Sequence, residues 1–249
     1  MPLTLTLLTL LAALADWVAV ARRAADPASR GARAAEYVAK PLTMLLLIGA
    51  AVAIAHDHAA PGIPSEHRAT AYLVVTTVAA LVLSLVGDVF LMVPEESPAA
   101  ARTFVLGLAA FLLAHIAYIA AFVSLHAHGG YAISFVLTGL VLSGAMFATA
   151  GLRIHAAAAQ QDPALAGPVL AYITVISLMV VAAWWTGDLR IIPGALLFAA
   201  SDTMIGWTKF ARAGHEPREG AGRAGKIDVP IIVTYHLAQL LLVLGLMRR

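Results

Sequence analysis

The chain has 249 residues, 61% hydrophobic and 12% charged, with a mean hydropathy of +0.87. Ordinary soluble domains carry about 25% charged residues, so this composition excludes a soluble globular domain and points to an integral membrane protein. There is no cysteine, which excludes disulfides, thiolate metal ligands and a cysteine nucleophile, and a net charge of +2 says less than where the charges sit.

Eight apolar runs are long enough to cross a bilayer. They cover about 3–21, 38–55, 69–93, 103–125, 132–152, 165–185, 190–211 and 229–247. The expected fold is an all-α bundle of eight transmembrane helices forming a single domain. Residues 1–21 lack a basic start and an A-x-A cleavage site, so they read as the first span rather than a signal peptide. Breakers separate the runs: Asp26-Pro27, Pro61-Gly62-Ile63-Pro64, Pro94 and Pro98 around Glu95-Glu96, Gly129-Gly130, Asp162-Pro163, Thr186-Gly187-Asp188 and the Gly/Arg-rich stretch 212–226. Twelve of the sixteen Lys and Arg residues lie by the loops after spans 1, 3, 5 and 7, and four on the opposite side. The positive-inside rule then puts those loops in the cytoplasm and both termini outside. The expected location is a bacterial cytoplasmic membrane.

Polar residues inside the spans gather towards the cytoplasmic half. On span 1, Asp16 lies six residues before Arg22 and reads as interfacial beside Trp17. Lys40 opens span 2, with Pro41 in a tolerated first-turn position. Asp88 sits six residues before Pro94, roughly 9 Å from that end, with Ser84 one turn earlier on its face. Gly107, Phe111, His115 and Tyr118 share one face of span 4, as do Pro168, Tyr172 and Met179 on span 6. Asp202 lies ten residues before Arg212, roughly 15 Å deep. Phe198, Asp202, Gly206 and Lys209 share its face, and Ser201 precedes it. Tyr235, His236 and Gln239 open span 8.

Each of these has a plain packing alternative. A buried membrane acid is costly unless neutral, paired or facing a wet cavity. Asp202 could lock two helices by pairing with Lys40 or Lys209, and Asp88 could be a solvated end-of-helix acid. Lys40 could snorkel. His115 and the tyrosines could simply bond or pack against neighbouring helices. No His/Asp spacing fixes a metal site, and no cofactor or nucleic acid is expected.

Taken in order, these residues resemble the lysoplasmalogenase (YhhN-like) family. The resemblance rests on Lys40-Pro41-Leu42, Gly87-Asp88-Val89-Phe90-Leu91, Phe111 with His115 and Tyr118, Gly194-Ala195-Leu196-Leu197-Phe198, Ser201-Asp202, and Tyr235 with Gln239. It runs from about 38 to 247 and includes the count of eight spans. It implies a membrane hydrolase that cleaves the vinyl ether bond of lysoplasmalogens to a fatty aldehyde and a glycerophospho head group. The family's two aspartates fall on Asp88 and Asp202.

Vinyl ether hydrolysis needs a carboxylic acid still protonated near neutral pH to protonate the β-carbon. It also needs an anion to steady the oxocarbenium ion and accept a proton from water. Two carboxyls in unlike surroundings divide such work. Desolvation favours a carboxyl's neutral form, so the deeper Asp202 is the candidate acid and Asp88 the base or electrostatic partner. Because close carboxyls titrate as a pair, the reverse assignment stays open. Lys40 could bind the lipid phosphate or keep one Asp ionised. His115, Tyr118, Tyr172, Ser201, Tyr235 and Gln239 would orient groups or position water. The expected partners are a lysophospholipid and the surrounding lipid. A proton-coupled transporter would also bury Asp, Lys and His, and a non-catalytic lipid-binding protein would tolerate loss of either acid.

Overall fold

The computed structural model describes residues 1–57, 64–94, 96–126, 133–211 and 221–247, with 64–69, 126 and 221–226 described by backbone alone. Among these residues there is no strand, and eight helices are long and apolar enough to cross a membrane. The protein is an all-α, multi-pass integral membrane protein. The helices are α1 Pro2–Ala25, α2 Arg30–Asp57, α3 Pro64–Leu91, α4 Ala100–His126, α5 Ile133–Gln161, α6 Ala166–Trp185, α7 Ile191–Ala211 and α8 Ala221–Met247. Several breakers and basic residues singled out in the sequence lie outside the described residues: Pro61, Gly62, Ile63, Glu95, Gly129, Gly130, the stretch 212–220, Arg248 and Arg249.

The helices outrun the apolar windows that announce them. Helix α2 starts at Arg30, not near residue 38, so Pro41 stands in its interior rather than its first turn. The extension is amphipathic: Ala32 and Ala39 are buried while Arg30 and Arg33 face outwards. Pro230 likewise lies inside α8. Membrane helices tolerate such prolines because their neighbours re-satisfy the freed backbone groups. Helix α5 does not stop at 152. It passes through a π-helical turn, Phe147–Gly151, and runs on to Gln161. A second π turn, Trp207–Ala211, closes α7.

The stops are chemical. The Asp162 side chain accepts from Ala164 N at 2.9 Å, and Pro163 follows it. Between α6 and α7 the backbone reverses through Gly187, whose φ of 63° is a left-handed conformation that suits glycine. Asp188 Oδ1 then caps α7, accepting from Arg190 N at 2.8 Å and Ile191 N at 3.1 Å.

The pairs α1–α2, α3–α4 and α7–α8 pack along their lengths, and α8 also meets α1, α2 and α3. Helix α5 is the least buried span. Two side-chain bonds fix which ends lie together. Tyr37 OH donates to Met92 O at 3.2 Å, and Gln161 Nε2 donates to Phe210 O at 2.8 Å. The start of α2 and the end of α3 thus share one end of the bundle, and α5 and α7 finish side by side.

Close packing of α3 on α4 depends on absent side chains, as is usual between membrane helices. A Cβ at Gly87 would lie 2.6 Å from the Phe111 ring, and one at Gly107 would lie 2.9 Å from Leu91 Cδ2. Gly87→Ala should therefore destabilise the protein by about 1–3 kcal/mol through overpacking. Gly31→Ala, with nothing within 4 Å, should not. Thermal unfolding in detergent checks the pair, and equal melting points would show that Phe111 moves aside freely.

Candidate active site

Asp88 is brought into the bundle by the last turn of α3 and is 2% exposed, so it is not a solvated end-of-helix acid. Lys40 Nζ on α2 lies 3.1 Å from Asp88 Oδ1, and Tyr235 OH on α8 donates to Oδ2 at 2.7 Å. The same hydroxyl stands 3.6 Å from Met44 Sδ. One carboxylate thus receives a cation and a neutral donor on separate oxygens, the pairing a buried charge requires. Lys40 has its ammonium on a carboxylate and its chain largely buried, so it sits beside an acid and not out at the membrane surface.

Asp202 has a different set of neighbours. Its Oδ2 accepts a short hydrogen bond from Tyr172 OH on α6. His115 Nε2 on α4 lies 3.5 Å from the same oxygen without a hydrogen bond. Neither lysine proposed as its structural lock is there: Lys40 is on Asp88, and Lys209 Nζ sits 5.3 Å above the Phe104 ring centre. A neutral phenol and an imidazole are far weaker counter-charges than an ammonium.

An aromatic partition lies between the groups that flank the two acids. Phe198 lies at its centre, packed edge-on against Tyr235 at 5.5 Å and His115 at 4.6 Å between ring centres. Phe111 fills the gap between Phe198 and Tyr235, at 6.3 and 5.9 Å. On the Asp202 side an open cavity lies among α3, α4, α5, α6 and α7, with about 720 Å³ of free space counting its mouth. Its walls include Leu108, Phe111, Ile154, Ile173 and Ile176, and Asp202 is the one carboxyl on them among the described residues. Asp88 does not line it.

Other candidates are placed differently. Tyr118 OH donates to Gln239 Oε1, joining α4 to α8 next to Phe198, and neither touches a carboxyl. Ser201 Oγ donates to Ile231 O at 3.1 Å, tying α7 to α8 rather than serving Asp202. Ser84 is buried without a hydrogen bond one turn from Asp88. Pro168 faces outwards, away from the site. Asp16 is 0% exposed, buried against α8 rather than facing outwards. Sequence reading had no signal for Met44 or for the walls from α5. The walls depend on the π turn Phe147–Gly151, which sets Gly151 and Ile154 against the cavity. Among the described residues no group of three or more His, Asp or Glu could hold a metal ion.

Comparison with known proteins places the chain in a family. The family model described as the YhhN family matches residues 35–246. A Mycobacterium bovis protein named lysoplasmalogenase is 34% identical over 175 residues, covering 68% of this chain and 59% of that protein. A Mycobacterium tuberculosis protein of the same name matches equally well. The human protein named Lysoplasmalogenase TMEM86B is 32% identical over 172 residues, covering 68% of this chain and 62% of its own length. The matched stretch thus spans about three fifths of these relatives. No solved structure matches the chain significantly.

Proposed function

The chain belongs to the YhhN family, and from that premise we propose that it hydrolyses the vinyl ether bond of lysoplasmalogen-like lysophospholipids to a fatty aldehyde and a glycerophospho head group. The observation that carries the reading is a carboxyl, Asp202, alone among the described residues on the wall of an open, apolar cavity. Its lining suits a single hydrocarbon chain, and Asp202 is where the chain's vinyl ether end would meet an acid.

In this reading Asp202 gives its proton to the β-carbon, and the ether carbon becomes an oxocarbenium ion. Asp88, fixed by Lys40 and Tyr235, is the negative charge that steadies the cation across the aromatic partition. Water adds to the ether carbon and passes a proton to the Asp202 carboxylate, which restores the acid. The hemiacetal then collapses, its hydroxyl proton replacing the carbon on the glycerol oxygen. Every proton is accounted for without a second base, and no cofactor is invoked. Tyr172 holds Asp202 in line through its hydrogen bond, with His115 beside the same oxygen. The Lys/Arg bias places the Arg23 end of the bundle in the cytoplasm.

Isotopes test the bond and the proton source. In heavy-oxygen water the glycerophospho product should carry no label, because its oxygen is never exchanged. In deuterated water, promptly trapped aldehyde should carry one deuterium beside its carbonyl. The saturated alkyl ether should be inert, since it forms no cation by protonation at carbon. Fatty acid as sole product, or label in the glycerol hydroxyl, would rule this mechanism out. Turnover by purified protein in detergent separates an enzyme from a transporter, which needs a sealed compartment.

A further inference from the structure

Away from the cavity, α1, α2 and α8 each contribute one polar side chain at two successive levels. At the outer level Arg23 of α1 lies 2.5 Å from Glu36 of α2 and 3.0 Å from Asp228 of α8, all three partly exposed. The inner level is reached by going roughly 10 Å along α1 to Asp16, 6 Å along α2 to Lys40 and 12 Å along α8 to His236, at 1.5 Å per residue. Lys40 joins this level to the site, for its ammonium bears on Asp88 and interacts electrostatically with Asp16 and Glu36 as well.

The inner level contains unmet polar groups. Asp16 is fully buried, and neither carboxyl oxygen has a hydrogen bond. Trp17 Nε1 donates to His236 Nδ1 at 3.1 Å. The neutral imidazole therefore carries its own hydrogen on Nε2, and Nε2 has no partner either. Nε2 and Asp16 Oδ2 are 4.0 Å apart. That is too far for a hydrogen bond and right for one bridging water. Buried groups left unsatisfied in this way call for a polar occupant. A small void bordered by Thr9, Trp17, Thr43 and His236 adjoins the imidazole. None of this is needed to hold lipid, and Asp16 lies outside the family match, which begins at residue 35.

We propose that the seam between α1, α2 and α8 is the inlet for water, the second substrate of the hydrolysis, with Asp16 and His236 holding a water on the way to Asp88. The inference rests on the hydrolase reading, and it solves a problem that reading raises. The lipid cavity is walled by apolar side chains and filled by the hydrocarbon chain when substrate is bound, so attacking water has to arrive from elsewhere. The seam's polar residues run from the partly exposed Arg23, Glu36 and Asp228 to Asp88 and to Tyr235, whose ring packs on Phe111 and Phe198 of the aromatic partition. Asp16 is a water-holding residue here and touches no lipid atom.

Two measurements on the full-length protein in detergent test it. The first does not depend on activity: exchange of the indole N–H protons into deuterated water in protein carrying nitrogen-15 tryptophan. Trp17 should exchange much faster than Trp184, whose Nε1 is buried without a partner. Asp16→Leu should slow Trp17 selectively. Equal, slow exchange of both in the natural protein would overturn the inlet, even if Asp16→Leu does not fold. The second follows turnover of a vinyl ether lysolipid in deuterated water. With water withheld, the oxocarbenium ion reverts by losing a β-hydrogen, so unreacted substrate gains deuterium at the vinyl carbon. Asp16→Leu should lower kcat by about tenfold, the worth of one lost hydrogen bond of about 1.4 kcal/mol, with KM unchanged and deuterium in recovered substrate. Asp16→Asn, which can still hold water, should stay near the natural rate. Loss of rate without deuterium in the substrate, or an unchanged rate in Asp16→Leu, would overturn the proposal. Fast Trp17 exchange in a protein that never turns over a vinyl ether would keep the inlet and refute the hydrolase reading instead.

Discussion

Asp202→Asn should reduce vinyl ether turnover by about a hundredfold or more, the usual worth of a positioned general acid, while the bundle stays folded. The amide keeps the shape of the carboxyl and can still accept from Tyr172 OH, which bonds Asp202 Oδ2. It cannot deliver a proton to carbon. Asp202 is the lone carboxyl on the cavity wall among the described residues, so none of them stands ready to replace it. Lipid binding should survive, so KM should move far less than kcat, and the melting point should change little. Near-normal turnover in this variant would remove Asp202 from the mechanism.

Lys40→Met should damage the protein more than the loss of any surface lysine. Its ammonium is 3.1 Å from Asp88 Oδ1, and the two side chains are 16% and 3% exposed. Removing one partner of a buried pair leaves an uncompensated charge, at a cost of about 3–5 kcal/mol. Lys40→Met combined with Asp88→Leu should recover much of that stability, because an apolar pair needs no compensation. The double variant should remain inactive, with the charge opposite the cavity gone. Melting curves of the two singles and the double form a cycle, and additive losses would show that the pair is not coupled. A raised KM with unchanged kcat in Lys40→Met would return Lys40 to the phosphate-binding role that its place at the start of span 2 first suggested.

The parts legible from sequence are those set by local pattern. Apolar length marked the eight helices, and acids in hydrocarbon marked Asp88 and Asp202 as residues needing a reason. What sequence left open was choice among partners. Lys40 had two acids and a phosphate as candidates, and only the approach of α2 to α3 puts it on Asp88. Asp16 read as interfacial because six residues separate it from Arg22. It is buried because α8 covers it with His236, a contact 220 residues distant in the chain. The aromatic partition of Phe111 and Phe198 was equally hidden, for each phenylalanine reads alone as core. Helix ends were misjudged where amphipathic extensions such as Arg30–Ala39 carry charge beyond the apolar window.

The π turns at Phe147–Gly151 and Trp207–Ala211 bear on how such a cavity can originate. A π turn is what one extra residue makes of an α-helix that absorbs it without breaking. One residue corresponds to about 100° of rotation in an α-helix, so such an insertion re-aims everything downstream while the hydrophobic composition of the span stays the same. Both turns occur beside the cavity, one carrying Gly151 and the other Phe210 to its wall. A packed interface can therefore be wedged open by two single-codon insertions, with no helix lost and no core residue exchanged, and a binding space gained where two helices had merely touched.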